Sequence, residues 1–339
     1  MVNSATENEL ILSFVVPVYN VESFIGDCLK SLLAQDVSKE QYEIVCIDDG
    51  STDNSGKILD DYAKDNSNIK VIHSENKGVS AARNIGISAS AGKYIWFVDS
   101  DDMIAANCLK LLFKVISKHS PEYIRFNNKK INENARFENI CSDIIDAVHL
   151  KRYDGRISGN HVWKCITKSD IIKDNNLKFE EQMKFGEDTI FAYMIYTNMS
   201  GTGWVDLQEC FYYYRTRNTS AVNTKTKERY TQQTKDLFRM AYIYKEILKN
   251  HTFSDADIVK NTQCRQHLAT IGALTIFPKS SLNYKETMKR IKEEKIYPFS
   301  FTVWNIKTAR TFKAKVIEFV KLFFKFRPFY RAYYLLMKK

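Results

Sequence analysis

Three acids stand within four residues, Asp99, Asp101 and Asp102, with Ser100 between them, directly after the apolar run YIWFV at 94–98. Like charges this close repel, and the placement is costly unless a cation or hydrogen-bond donors compensate. Carboxylate oxygens are hard ligands that suit Mg²⁺ or Mn²⁺, ions that also bind diphosphates. The competing structural account is that Asp101 or Asp102 caps a helix over 105–118. A second acidic stretch, Asp48-Asp49-Gly50-Ser51-Thr52-Asp53, follows the apolar run YEIVCI at 42–47. A carboxylate there could accept from a base N–H and a ribose hydroxyl. Alternatively, Gly50 makes a turn and Ser51 or Asp53 caps the next helix. A third pair, Glu187-Asp188, heads a segment with Phe185, Ile190, Phe191 and Met194 as its apolar face. Acids in a first helical turn are common for electrostatic reasons alone. His161, Trp163 and Lys164 form another knot. A Trp beside a sugar cleft stacks on a pyranose face, and His161 is a candidate metal ligand or acceptor contact. The plainer account is a core Trp with a surface His.

The elements that position these groups follow from apolar patterning. Residues 11–18 (ILSFVVPV) read as a strand buried on both faces. Ile25, Cys28, Leu29, Leu32 and Leu33 then recur at helical spacing. The run at 42–47 is followed by a helix with Ile58, Leu59, Tyr62 and Ala63 on one face. A short strand over 69–73 precedes a helix around 80–91, and the strand at 94–99 precedes one with Leu109, Leu112, Phe113 and Ile116 facing inward. Strand and helix thus alternate four times, which predicts right-handed βαβ units in a doubly wound, mostly parallel α/β sheet flanked by helices. Ligands of such sheets bind beyond the carboxyl ends of the strands, where all the acids up to Asp102 fall. From 120 to 215 the pattern is mixed. Residues 225–295 read as helical, with Leu237, Met240, Ala241, Tyr244 and Leu248 on one face.

The chain has 339 residues and 44% hydrophobic, 13% aromatic composition, ample for a sizeable core; 12 Gly and 5 Pro exclude collagen and long Gly/Pro-rich linkers. Net charge is +10, and its distribution matters more than its size. Residues 307–339 carry ten Lys/Arg against one acid, Glu318, so the rest of the chain is close to neutral. A basic body would point to nucleic acid; a basic aromatic tail points first to an anionic membrane surface. Phe312, Val316, Phe319, Val320 and Phe323 recur at helical spacing, and Arg327-Pro328 is expected to break that helix before Phe329 to Leu336. This suits an interfacial helix, or one packed back on protein. Seven widely spaced cysteines with no CxxC read as buried thiols in a reducing compartment. The polar, acid-bearing start is not expected to be a signal peptide, and no stretch is apolar for long enough to span a membrane.

Taken together, residues 10–215 resemble a family 2 glycosyltransferase with the GT-A fold. The matching pieces are Val16-Pro17-Val18-Tyr19-Asn20, Ile47-Asp48-Asp49-Gly50-Ser51-Thr52-Asp53, Asn76-Lys77-Gly78 with Ala82-Arg83-Asn84, Phe97-Val98-Asp99-Ser100-Asp101-Asp102, Gly186-Glu187-Asp188 and Tyr213-Tyr214-Arg215, in the family's order. The resemblance implies that Pro17 and Tyr19 line a nucleoside pocket and that Asp49 binds the uracil edge of a UDP-sugar. It implies that Lys77, Gly78 and Arg83 border the nucleotide and its phosphates. Asp99-Ser100-Asp101 matches the family's DxD motif, with Asp99 on ribose or sugar and Asp101 on a Mn²⁺ or Mg²⁺ ion. Asp188 would be the catalytic base with Glu187 beside it, and Arg215 would lie near the phosphates on a mobile segment. The QxxRW motif of processive members is missing, which favours transfer of one sugar, or a few.

The expected organisation is a polar extension over 1–9, a GT-A catalytic domain over 10–220, a helical C-terminal region over 221–306 and the basic aromatic tail over 307–339. The expected function is inverting, metal-dependent transfer of a sugar from a nucleotide-sugar to a glycan or lipid-linked acceptor in surface-polysaccharide synthesis. The expected place is the inner face of the cell membrane, peripherally bound, with no nucleic-acid partner. A nucleotidyltransferase or dinucleotide oxidoreductase is disfavoured, because Tyr19-Asn20-Val21-Glu22 follows the first strand where a Gly-rich phosphate loop would stand. A catalytically silent membrane scaffold is disfavoured by the intact acids.

Overall fold

A computed structural model describes residues 9–139, 161–200, 203–216, 226–250, 256–297, 324 and 327–338. The chain forms two compact units: Met1–Glu181 with Glu187–Ser220, and Gln182–Gly186 with Ala221–Lys339.

The first unit is built on an eight-stranded sheet. The strands are β1 (Leu12–Val18), β2 (Tyr42–Asp48), β3 (Ile69–His73), β4 (Tyr94–Phe97), β5 (Met103–Ile104), β6 (Tyr123–Ile131), β7 (Cys165–Lys168) and β8 (Trp204–Arg215). Their order is β3-β2-β1-β4-β7-β6-β8-β5. The first four pair in parallel, Val16 opposite Cys46 and Phe14 opposite Trp96. The helices α1 (Ile25–Leu33), α2 (Ser55–Asp65) and α3 (Val79–Ala89) connect them, and α4 (Cys108–His119) follows β5. Every residue of β1 is buried, as a strand covered on both faces requires. The mixed stretch after 120 adds an antiparallel β7 between β4 and β6, then α5 (Ser169–Asp174), α6 (Glu187–Thr197) and β8. One sheet face packs Phe14, Trp96 and Phe126, with ring centroids 5.3 and 4.8 Å apart along that series. The other packs Phe97, Phe179 and Phe191.

Helix α4 begins after Asn107, whose backbone is left-handed (φ 58°), so neither Asp101 nor Asp102 caps it. Asp53 does serve its helix, its Oδ1 accepting from the Ser55 N–H at 2.9 Å. Gly50 has φ +70°, and a Cβ there would lie 2.8 Å from the Asn76 backbone nitrogen. Gly50→Ala is therefore expected to cost about 1–3 kcal/mol, read as a lowered midpoint in thermal or urea unfolding. An unchanged midpoint would show that this turn tolerates a side chain.

The second unit contains α7 (Lys227–Asn250), α8 (Ala256–Ile276), α9 (Tyr284–Glu293) and α10 (Arg327–Met337). Its core includes Phe238, Ala241, Leu274, Phe277, Tyr330 and Tyr334. The buried face of α7 is Phe238, Ala241, Tyr244 and Ile247, with Leu237 and Met240 only partly buried beside it; the face expected from spacing is rotated by about one position. Phe185 is not on the apolar face of α6, which starts at Glu187. It sits in the segment 182–186, under the Arg229 guanidinium, where Asp236 accepts from the Lys184 and Phe185 N–H groups at 3.1 Å.

Most of the expected interfacial helix, 312–323, lies outside the described residues. Pro328 sits in the first turn of α10, where its missing N–H leaves no helical bond unmade. Tyr330 is fully buried and donates to the Leu274 carbonyl at 2.9 Å, while Phe329, Leu335, Leu336 and Met337 remain exposed. Among the described residues no helix is long and apolar enough to cross a membrane. Of the described cysteines all are free thiols, and only Cys210 is less than buried; Cys141 lies outside the described residues.

Candidate active site

The loops at the carboxyl ends of β1, β2 and β3 are stitched to one another. Asn20, at φ 50°, accepts from the Thr52 N–H at 2.8 Å, and Ser55 Oγ accepts from the Val21 N–H at 2.9 Å. The two acids of β2's end divide the work. Asp48 holds the turn, accepting from the Ser51 N–H at 3.0 Å and pairing with His73 Nδ1 at 2.8 Å. Burial alone would raise its carboxyl, but the hydrogen bonds from Ser51 and His73 hold it below the usual range. Asp49 is buried and accepts from the backbone N–H groups of Lys77 and Gly78, 2.8 Å each. Each of its oxygens keeps a lone pair for a further donor. Pro17 is buried within β1, Tyr19 is about half exposed beyond its end, and the Lys77 ammonium reaches solvent. Gly78 takes φ +92° at the head of α3.

The acids after β4 are pinned mainly through the backbone. Val98 N–H donates to Val15, and Asp99 N–H donates to the Tyr212 hydroxyl at 3.1 Å. That hydroxyl in turn donates to Asp102 Oδ2 at 2.7 Å, while Asp102 Oδ1 accepts from the Arg215 N–H. Burial, then the charges of Asp101 and Asp99, push Asp102 well above the usual carboxylate range. Ser100 is buried, and Asp99 and Asp101 are partly exposed. Arg215 is not a mobile arm: it is buried at the end of β8, donating to the carbonyls of Asp101, Glu133 and Ala135. It braces the acidic loop through the Asp101 carbonyl.

Arg83 is buried as well. Its guanidinium donates to Asp99 Oδ1 at 2.9 Å and to Glu187 Oε1 at 3.3 Å, and lies 5.2 Å from the Phe179 ring centre. Its neighbour Asn84 clamps the Phe179 backbone through both N–H and carbonyl. Helix α3 thereby ties the acidic loop to the start of α6. There the two adjacent carboxyls are pushed apart. Burial and the charge of Asp188 raise Glu187 despite Arg83. Burial would raise Asp188 too, but a hydrogen bond and charge from His161, then Arg83, bring it below its ordinary value. Adjacent acids with opposed shifts make Asp188 the more readily ionised of the pair. His161 Nδ1 lies 2.8 Å from Asp188 Oδ2, and its ring stacks on Trp163, which is buried and stacks in turn on Tyr212 and Tyr214.

The structure thus brings Arg83, Asp99 and Glu187 into one hydrogen-bonded group, His161 and Asp188 into a second next to it in sequence through Glu187, and Asp49, Lys77 and Gly78 into a third. Tyr212 and Phe179 belong to the supporting frame and were not singled out from sequence, and Asn84 stood there only as part of a motif without a role; the alternation of FYYYR at 211–215 marks a strand but not which tyrosine points at the acids. A cavity of about 800 Å³ near Gly92, Tyr94 and Lys168 contains none of these groups.

An α/β sheet with acids at its carboxyl edge is the class of fold that seats a nucleotide beyond its strands. Residues 13–177 match the family model for Glycosyl transferase family 2. It is 32% identical over 213 residues to the uncharacterized glycosyltransferase EpsJ of Bacillus subtilis strain 168, covering 60% of this chain and 61% of EpsJ. It is 30% identical to the poly(ribitol-phosphate) beta-N-acetylglucosaminyltransferase TarS of Staphylococcus aureus strain MW2, covering 60% of this chain and 35% of TarS. The chain therefore spans less than two thirds of the length of these relatives. The crystal structure of S. aureus TarS 1-349 with UDP-GlcNAc superposes with TM-score 0.64 at 23% identity, over 84% of this chain and 88% of that one, which establishes the GT-A fold.

Proposed function

We propose that this protein transfers a sugar from a nucleotide-sugar, UDP-linked, to a hydroxyl of a glycan or lipid-linked acceptor in surface-polysaccharide synthesis, with inversion at the anomeric carbon. The observation that carries this reading is the Arg83 bridge, which holds the acid of the donor edge, Asp99, and the acid pair of α6 within reach of one guanidinium. Asp49 and the Lys77-Gly78 backbone would border the nucleoside, with Pro17 and Tyr19 at its side. Asp99 and Ser100 would face ribose or sugar. The similarity to TarS supports the donor and acceptor classes: TarS was crystallised with UDP-GlcNAc and is named for transfer to poly(ribitol-phosphate). The exposed apolar row of α10, together with the basic residues of the tail, suits an anionic membrane surface at which a lipid-linked acceptor would be met.

The donor set at the acidic edge fits a divalent cation: its side-chain ligands are carboxylate oxygens, in surplus over nearby cations. Among the described residues no three His, Cys, Asp or Glu side chains group closely enough to hold an ion unaided, so Asp101, with Asp99 nearby, would share Mn²⁺ or Mg²⁺ with diphosphate oxygens. Bound there, the cation would offset the charge that builds on the leaving diphosphate. Asp188 accepts the proton of the attacking hydroxyl, and Glu187, held by Arg83, keeps the neighbouring position. With one base opposite the leaving group, no covalent sugar–enzyme stage is needed.

Titration calorimetry with UDP, with and without Mn²⁺, tests the donor site. Binding is expected to require the metal and to be lost in Asp101→Ala. Metal-independent binding would remove the cation from this reading, and no binding under any metal condition would remove the UDP assignment.

A further inference from the structure

His161 is the residue whose place in this site the reading above does not explain. It is about half exposed, yet its ring is not loosely held. It lies 5.2 Å from the Trp163 ring centre with the planes 6° apart, close to parallel. Trp163 is fixed behind it by stacks on Tyr212 at 4.6 Å and Tyr214 at 5.3 Å, and its carbonyl accepts from Trp96 Nε1 at 3.1 Å. Stacking fixes the plane of the imidazole while leaving its nitrogens, which lie on the ring edge, free to bond. One of them, Nδ1, meets Asp188 Oδ2 at 2.8 Å. The other Asp188 oxygen, Oδ1, accepts from the Thr189 N–H at 2.7 Å. Both oxygens are thus fixed, and an ionised carboxylate only accepts, so Nδ1 must carry the hydrogen.

We propose that His161 is a positioning residue for Asp188: held by the Trp163 stack, it donates Nδ1–H to Oδ2, orienting the carboxylate toward the acceptor hydroxyl. It is neither a metal ligand nor itself the proton acceptor. The inference rests on the reading of Asp188 as the base. The charged and titratable groups that face Asp188 are His161, Arg83 from α3, Glu187 on its own helix and the Cys165 thiol from β7, with Asp99 behind Arg83. Of these, His161 gives the larger share of the downward pull that opposes burial, so removing it moves the carboxyl upward.

The test uses His161→Ala, His161→Asn and His161→Gln in the full-length chain, with UDP, Mn²⁺ and UDP-sugars as probes. The Asn amide can replace Nδ1–H. His161→Ala is expected to lower kcat by roughly 10–100-fold with UDP affinity unchanged, since small misplacements of a reacting group cost about this much. The acid limb of its pH–rate profile should move to higher pH, and His161→Asn should recover most of the rate. Unchanged kcat in His161→Ala overturns the proposal. So does loss of Mn²⁺-dependent UDP binding, which would make His161 a donor-site ligand. An Asn variant as slow as Ala, with the acid limb abolished, would make the imidazole the base. A second readout needs no turnover. The chain has six histidines, so ¹⁵N-histidine labelling gives a readable spectrum, with the His161 signals identified by their loss in His161→Gln. An Nδ1-protonated ring that shifts in Asp188→Asn supports the pairing, and an Nε2-protonated neutral ring overturns it. If the parent protein binds UDP but transfers nothing, the functional reading fails, while the spectrum still decides the pairing.

Discussion

Asp188→Asn is expected to lower kcat by roughly 10²–10⁴-fold, the usual contribution of a positioned general base, while UDP affinity stays at the parent's value. The substitution keeps size and the Thr189 contact but removes the charge that takes the proton. It also turns an acceptor toward His161 into an amide that meets the imidazole with either end. Glu187 does not substitute for it, because burial and its neighbour raise its carboxyl while Arg83 already occupies Oε1. Single-turnover transfer with a UDP-sugar, beside titration calorimetry with UDP, separates the two quantities. A variant that keeps its rate would show that Asp188 is a helix-start acid and nothing more, and a variant that loses UDP binding would place it in the donor pocket.

Arg83→Met is expected to destabilise the first unit by about 3 kcal/mol, toward the lower end of what breaking a buried ion pair costs. The side chain is 6% exposed, and it leaves behind Asp99 and Glu187 at 27% and 14%. Met retains the stem that packs near Phe179 but supplies no charge to either acid. Urea unfolding followed by tryptophan fluorescence reads the loss as a lowered midpoint. Adding Glu187→Gln should return part of it, because one of the two stranded charges is then gone. A shift of less than about 1 kcal/mol would mean that both acids are solvated well enough to stand alone.

The parallel half of the sheet was legible because β1, β2 and β4 are largely apolar runs and the helices between them repeat at three and four residues. The acids were legible for the same reason: a strand that ends in Asp can only put it at the sheet edge. Beyond residue 120 the pairing is set by contacts distant in sequence. Nothing local in CITK at 165–168 says that it enters between β4 and β6 with reversed direction. Arg83 and Arg215 read as phosphate-side cations because sequence cannot show burial, and both are turned inward onto acids or carbonyls. That a helix begins at Arg327 was not read from the sequence, because a proline ends a helix or begins one depending on its neighbours. Tyr212 was missed because three consecutive tyrosines look alike until the strand's facing is known.

The loop from Val98 to Asp102 is held by main-chain atoms, the Tyr212 hydroxyl, the Asp102 carboxylate and the guanidinium groups of Arg83 and Arg215. Its carboxylates are therefore placed by the protein itself. A nucleotide and its counter-ion entering such a cleft meet dipoles already aimed, and little reorganisation energy is left to supply as charge moves to the departing diphosphate.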